Sequence, residues 1–314
     1  MASVRERIVA AGYIAGWKIV GALPQRLTAR AAQWAADRVS GDGAGMEMLR
    51  RNLTRVVGPE NVTRELVRDA MRSYARYWLE AFRLPQMAGA PELNATLSAG
   101  VSGREHLDAA VARGKGVVLT LPHTGNWDMA GTWLAENYGG FTTVAERLEP
   151  EALFDAFVKF RESLGFEVVP LTGGEQPPFE RLKEVLLDGG IVCLLGERDF
   201  SRHGVPVTFF GEETTFPAGP AKLAQDTGAT LLVAHSWFTG TWRNPGWGFS
   251  ISAPVEAATL EDTAQRVADQ FAENIAAHPT DWHMLQPLWP ADRRKPSRRR
   301  ELERRSREHR KRRR

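Results

Sequence analysis

The sequence predicts an α/β protein: a central, mostly parallel sheet covered by helices on both faces, with a helical region before it. Three observations predict this class. From Gly100 onward short apolar runs alternate with stretches long enough for helices. Before Gly100 the apolar residues recur at helical spacing. One apolar run, Val117–Leu121, stops at Pro122 and delivers His123 onto a turn, the place where open α/β sheets keep their binding crevices. The 314 residues suffice for one large α/β domain or two small ones. The expected division is a helical, membrane-proximal part over 1–90, an α/β core over 91–292 and a basic tail over 293–314.

At the amino terminus, Ile8 to Leu23 is apolar except for Lys18 and carries Tyr13 and Trp17. It is shorter than a bilayer span, and Gly12, Gly16 and Gly21 weaken it as a helix. Arg5 and Arg7 give a faint signal-peptide look, but Lys18 breaks the apolar region and no small-x-small cleavage site follows. The mixture fits an interfacial helix, with an ordinary core helix as the alternative. Helical patterns continue to about Leu84. The clearest runs from Glu65 to Phe82, with Leu66, Ala70, Tyr74, Trp78 and Phe82 four apart, and Pro85 is expected to end it. These residues read as packing that also lines one wall of a groove.

Five strands follow: Val117–Leu121, Phe141–Ala145, Phe166–Pro170, Ile191–Leu195 and Thr230–Phe238. The single cysteine, Cys193, lies in one of them. That excludes a disulfide framework and, with nothing nearby to lower its pKa, a catalytic thiol. The net charge of +3 conceals an asymmetry. From Arg293 to Arg314 there are 14 Lys and Arg against 3 acidic residues, which leaves 27 basic and 35 acidic residues before it. An acidic body thus carries a basic tail that cannot bury a core.

The chemistry concentrates at VVLTLPHTGNWD, Val117 to Asp128. His123 and Asp128 are five positions apart, a spacing that only an intervening turn can bring together. A histidine whose second ring nitrogen is held by a carboxylate has a fixed tautomer and acts as a general base near neutral pH. The structural alternative is that Asp128 merely complements the dipole of a helix beginning at Trp127. The pair and its surroundings, VVLTLPHTGNWDMAG, resemble the HX4D motif of the glycerolipid acyltransferase superfamily. The likeness is closest to the branch that holds the lipid A late acyltransferases and the actinobacterial phosphatidylinositol mannoside acyltransferases, and further blocks extend it over roughly residues 100 to 290.

Three blocks are then candidates to join His123. In RESLG, Arg161 ends a helix and can bind a phosphate or pair with Asp128. In LLGERDF, a strand ends at Gly196 and presents Glu197, Arg198 and Asp199; Glu197 is a second carboxylate able to hold the imidazole. In VTFFGEETTFPAGPAKLA, Phe210 and Gly211 belong to an apolar turn before a helix that begins at Ala221, and the resemblance implies substrate contact there. DWHMLQPLW resembles the family's closing segment, with Asp281 and Trp282 expected to shape an acceptor pocket.

No GxSxG elbow, HExxH zinc site or Walker loop is present. His203, His235, His278 and His283 show no metal-ligand spacing, so neither a metal nor a cofactor is expected. The tail can meet either an anionic leaflet, at about 1 kcal/mol per residue near the surface, or nucleic acid. It has no aromatic residue and no nucleic-acid fold accompanies it, which favours the membrane. The resemblance implies a peripheral O-acyltransferase at the cytoplasmic face of the plasma membrane. It would move a palmitoyl group from acyl-CoA, as co-substrate, to a mannose hydroxyl of a phosphatidylinositol mannoside. The alternatives are lipid A-type acylation from an acyl carrier protein and a non-catalytic adaptor.

Overall fold

The computed structural model describes residues 16, 19–147, 151–174, 176–199, 203–256 and 259–293. Most of the expected interfacial helix over Ile8–Leu23, and all but the first residue of the basic tail, lie outside them.

Three helices open the described chain: α1 (Gln25–Val39), α2 (Glu47–Val57) and α3 (Arg64–Met87). Thr63 starts α3 by accepting a hydrogen bond from the Leu66 amide at 3.1 Å, which satisfies one of the helix's unpaired first-turn donors. Pro85 does not end this helix, contrary to expectation. It stands two residues before the end, where a helical φ suits proline and only one ladder bond is lost. Then come α4 (Pro91–Ala99), β1 (Val101–Ser102) and α5 (Arg104–Ala112), followed by β2 (Val117–Leu121), α6 (Trp127–Tyr138) and β3 (Phe141–Ala145). After these lie α7 (Glu151–Glu162), β4 (Phe166–Pro170), α8 (Pro178–Leu187), β5 (Ile191–Leu195), β6 (Val205–Phe209) and β7 (Glu212–Phe216). The chain closes with α9 (Gly219–Thr227), β8 (Thr230–Gly240), β9 (Pro245–Ile251) and α10 (Leu260–Ala277).

Seven strands form one sheet in the order β1-β9-β8-β2-β5-β3-β4. All neighbours are parallel except β8 and β9. Both faces of the central strands are covered, so their residues are apolar in succession rather than alternating with polar ones. Val117 and Leu119 of β2 face a core built with α4, α5 and α6, whereas Val118 faces the opposite core with α8, α9 and α10. A third, smaller core joins α1, α2 and α3 through Ala36, Leu49, Leu53 and Val67.

All five expected strands are present. Four strands were not expected: β1, β6, β7 and β9. Strand β9 reads PGWGFSI, whose proline and two glycines mask it, and Gly248 is needed because a Cβ there would lie 2.2 Å from the Trp237 ring. The hairpin β6–β7 forms its own two-stranded sheet around the expected apolar turn.

Candidate active site

The register of β2 on β5 builds the site. Leu121 pairs with Leu195, so the residues two positions beyond each strand, His123 and Glu197, face one another at the carboxyl ends of adjacent parallel strands. Glu197 Oε1 accepts hydrogen bonds from the His123 backbone N–H at 2.6 Å and from its ring Nδ1 at 2.9 Å. Burial pushes the wholly enclosed Glu197 towards the neutral acid. The two hydrogen bonds, and the positive charge His123 carries when it is protonated, outweigh that and hold the carboxyl below its ordinary range. With Nδ1–H donating to a carboxylate, Nε2 is left with the lone pair, the arrangement a general base needs.

The turn after His123 is held from two sides. Its carbonyl accepts from the His283 amide at 2.8 Å, and Gly125 N–H donates to the Asp281 carbonyl at 2.9 Å. Gly125 has φ +53, and a Cβ there would lie 2.6 Å from the backbone of Ser236, so the G of HTGNWD is fixed by backbone sterics. Asn126 caps α6 by accepting from the Met129 amide at 3.0 Å. It also donates to Glu80 at 2.9 Å, a buried carboxylate that receives Trp247 Nε1 at 2.7 Å and Arg76 Nε at 2.6 Å.

Asp128 does not hold the imidazole. It sits in the first turn of α6 with both oxygens committed elsewhere: Oδ1 to Arg161 Nε at 3.0 Å and Oδ2 to the Tyr77 hydroxyl at 2.9 Å. The one-residue step from turn to helix aims it towards α3 and α7, away from β5. Burial, followed by the nearby Asp128 charge, raises the Tyr77 phenol well above its usual value, so it remains a donor. Arg161 is pressed by burial to lose its proton, and the Asp128 charge more than compensates.

His123, Tyr77 and Arg161 open on a cavity of about 640 Å³, within the range of small-molecule sites. Apolar side chains from the sheet and from α8, among them Val144, Val168, Phe179, Leu182 and Leu194, line part of it. Tyr74, Trp78 and Trp127 give it an aromatic wall, so two members of the expected stripe on α3 do face the groove. Leu66 and Ala70 pack instead into the small helical core. Arg198 and Asp199 line the cavity, and Asp199 also accepts from Thr215 Oγ1 at 3.2 Å.

Two expectations fail. Phe210 and Gly211 do not reach the cavity; they form the turn of the β6–β7 hairpin at φ +50 and +77, with Phe210 packed 4.5 Å from the Phe209 ring. Asp281 and Trp282 lie behind the wall. Trp282 is fully buried, and Asp281 accepts from Ser73 Oγ at 2.6 Å and from the Phe238 amide at 2.9 Å.

The next residue, His283, was passed over in sequence and lines the cavity. Ser73 has given its only proton to Asp281, so His283 Nε2 donates to Ser73 Oγ at 3.0 Å and Nδ1 keeps its lone pair. Burial, then the neighbouring His123, pushes this imidazole down to about 3, so it is neutral. Among the described residues no group of three or more His, Cys, Asp or Glu is placed to hold a metal ion. Cys193 is pushed up to about 12 by burial and stays a thiol.

The sequence is similar to those of known acyltransferases. Residues 3–291 match the sequence model of the bacterial lipid A biosynthesis acyltransferases. The chain is 54% identical over 285 residues to the phosphatidylinositol mannoside acyltransferase of Mycolicibacterium smegmatis, covering 90% of this chain and 91% of that protein. It is 52% identical over 284 residues to the protein of the same name from Mycobacterium tuberculosis, covering 89% and 88%.

Proposed function

The chain belongs to the bacterial lipid A biosynthesis acyltransferase family and is an acyltransferase, and from that premise we propose that it moves a long acyl group, palmitoyl for preference, from acyl-CoA to a mannose hydroxyl of a phosphatidylinositol mannoside. The observation that carries the reading is the His123–Glu197 pair at the end of β2, opening on a cavity in which no serine, threonine or cysteine lines the described wall. A base without a neighbouring nucleophile fits direct attack by the acceptor better than an acyl-enzyme.

In this mechanism the mannose hydroxyl gives its proton to His123 Nε2 as its oxygen bonds to the thioester carbonyl carbon. The carbonyl electron pair moves onto oxygen, forming a tetrahedral oxyanion. When the pair returns, the C–S bond breaks, and the departing thiolate takes the proton back from the imidazolium. Glu197 holds Nδ1–H throughout and stabilises the imidazolium as it forms. Arg161 brings a fixed positive charge to the cavity wall, suited to the oxyanion or to the acceptor's phosphate. Tyr77, His283 and the aromatic wall offer a sugar both hydrogen-bonding partners and rings to stack on. The apolar lining offers the acyl chain a dry groove, and a peripheral position on the cytoplasmic leaflet brings a lipid acceptor to it.

Offering a phosphatidylinositol dimannoside and a lipid A precursor together with palmitoyl-CoA tests the acceptor. The proposal expects the acylated mannoside as the product seen by mass spectrometry. Acylation of the lipid A precursor alone contradicts it.

A further inference from the structure

Strand β8 outlasts its neighbour. β2 pairs with it from Val117, opposite Thr230, to Thr120, opposite Val233, and ends at Leu121, while β8 runs on to Gly240. The next residues of β8 therefore flank the turn that carries His123, on the side away from β5. Consecutive side chains of a strand leave it on opposite faces. The two that border the turn both end on one residue, Thr124. Ser236 Oγ donates to the Thr124 carbonyl, and His235 Nδ1 lies 3.0 Å from Thr124 Oγ1. Thr124 is fully buried and directly follows His123 in the chain.

Packing alone does not account for the imidazole at His235. The ring stacks with Trp237 and with His278, the residue after α10, at 5.6 and 5.7 Å between ring centres, and is 2% exposed. Burial, then the neighbouring His278, pushes it down to about 3, so it is neutral and carries one N–H. Its Nε2 is buried and meets no hydrogen-bond partner among the described residues. A proton there would be an unpaired buried donor, the rarer fault, so the proton sits on Nδ1 and is donated to Thr124 Oγ1. A phenylalanine would fill the same stack and leave no bare nitrogen. The imidazole is accounted for by the hydroxyl it grips.

The grip matters because Glu197 does not fix the base by itself. Its one oxygen, Oε1, takes both the His123 amide and Nδ1–H, and a side chain on rotatable bonds follows the turn if the turn moves. The closing segment holds the His123 carbonyl and the Gly125 amide. Thr124, between them, is left to β8. From this grip on two faces we infer that His235 and Ser236 are positioning residues for the base. Through Thr124 they lock the turn to the sheet and hold His123 Nε2 where the acceptor hydroxyl gives up its proton. The role rests on the reading of His123 as general base.

Three variants of the full chain test it, assayed with palmitoyl-CoA and a phosphatidylinositol mannoside. Thr124→Val keeps the shape and removes the hydroxyl, His235→Phe keeps the stack and removes the donor, and His235→Asn returns an N–H to the place of Nδ1. A misplacement of about 1 Å costs roughly 10²-fold in rate, so the first two should lower kcat by about 10- to 100-fold with KM for both substrates unchanged. Their double variant should be no slower than the slower single one, because both remove the same bond. His235→Asn should recover most of the rate. NMR of histidines labelled at the ring nitrogens, with His123 assigned by the signal missing from His123→Ala, reads the ground state. It should show the His123 proton confined to Nδ1 in the unaltered chain and shared between both nitrogens in Thr124→Val and His235→Phe. Single variants as fast as the unaltered chain, losses that multiply in the double variant, or an unchanged His123 signal overturn the inference. Should Thr124→Val fail to fold, Ser236→Ala removes the other arm of the grip and is read by the same kcat and the same signal. A His123→Ala variant as active as the unaltered chain would retire the base, and the nitrogen spectra would still decide whether the grip holds the turn.

Discussion

At the scale of single residues, the question is which carboxylate serves His123. Both candidates were visible in the sequence, but neither spacing nor chemistry could choose between them, because the choice depends on how β2 and β5 align. The Leu121–Leu195 pairing makes it, giving Glu197 to the imidazole and leaving Asp128 to Arg161 and Tyr77. Glu197→Gln should therefore leave the fold intact while lowering kcat roughly 10²-fold or more, because an amide no longer enforces the tautomer. Asp128→Asn should act differently. It uncouples an ion pair and should reduce unfolding free energy by about 2 to 3 kcal/mol, below the cost for a fully enclosed pair because Arg161 meets the cavity. Urea titrations of the two variants separate these roles. His283 and His235 are each pushed by burial to about 3, which makes a second prediction possible. Below pH 6.5 the unfolded chain binds protons that these buried imidazoles refuse. Stability should then fall on acidification by about 1.4 kcal/mol per pH unit for each, down to about pH 3. Replacing His235 by Gln should flatten that slope by one proton's worth between pH 6 and 5 in denaturant titrations.

At the scale of elements, the strands that carry the site were legible because a strand buried on both faces is a plain apolar run, and Pro122 and Gly196 mark where two of them stop. The hairpin and β9 were hidden. The first strand of the hairpin, VPVTF, carries a proline and lies in a stretch whose phenylalanines suggested an apolar turn, and β9 carries a proline and two glycines, of which Gly248 is demanded by its close approach to Trp237. His283 was missed because the closing segment has no period of its own. It becomes part of the site only through its pairing with the HTG turn, where Thr124 faces Trp282. That turn is the element most sensitive to change. Gly125→Ala forces a side chain into a left-handed position and against the Ser236 backbone, so it should cost about 2 kcal/mol or more and displace His123. Thermal melting alongside kcat measures both effects. An alanine variant of wild-type stability would show that the turn does not need its glycine.

At the scale of the whole molecule, the sequence combines an acidic body with a basic tail, and the described residues enclose a cavity of about 640 Å³ beside His123. The sequence displayed the charge asymmetry but not the cavity, whose wall is assembled from α3, α7, α8, the sheet and the closing segment. The central claim concerns the assembled enzyme: an acyl group passes from its thioester directly to the mannoside, with His123 as the base. Radiolabelled palmitoyl-CoA, mixed with a phosphatidylinositol mannoside and either the unaltered chain or His123→Ala, tests it most directly. General-base catalysis is worth roughly 10² to 10⁴-fold. The account therefore predicts label on the mannoside with the unaltered chain, and at least 10²-fold slower transfer by a variant that still melts as a folded protein. A variant that keeps more than a tenth of the rate, or an unaltered chain that leaves the mannoside unlabelled, would contradict it.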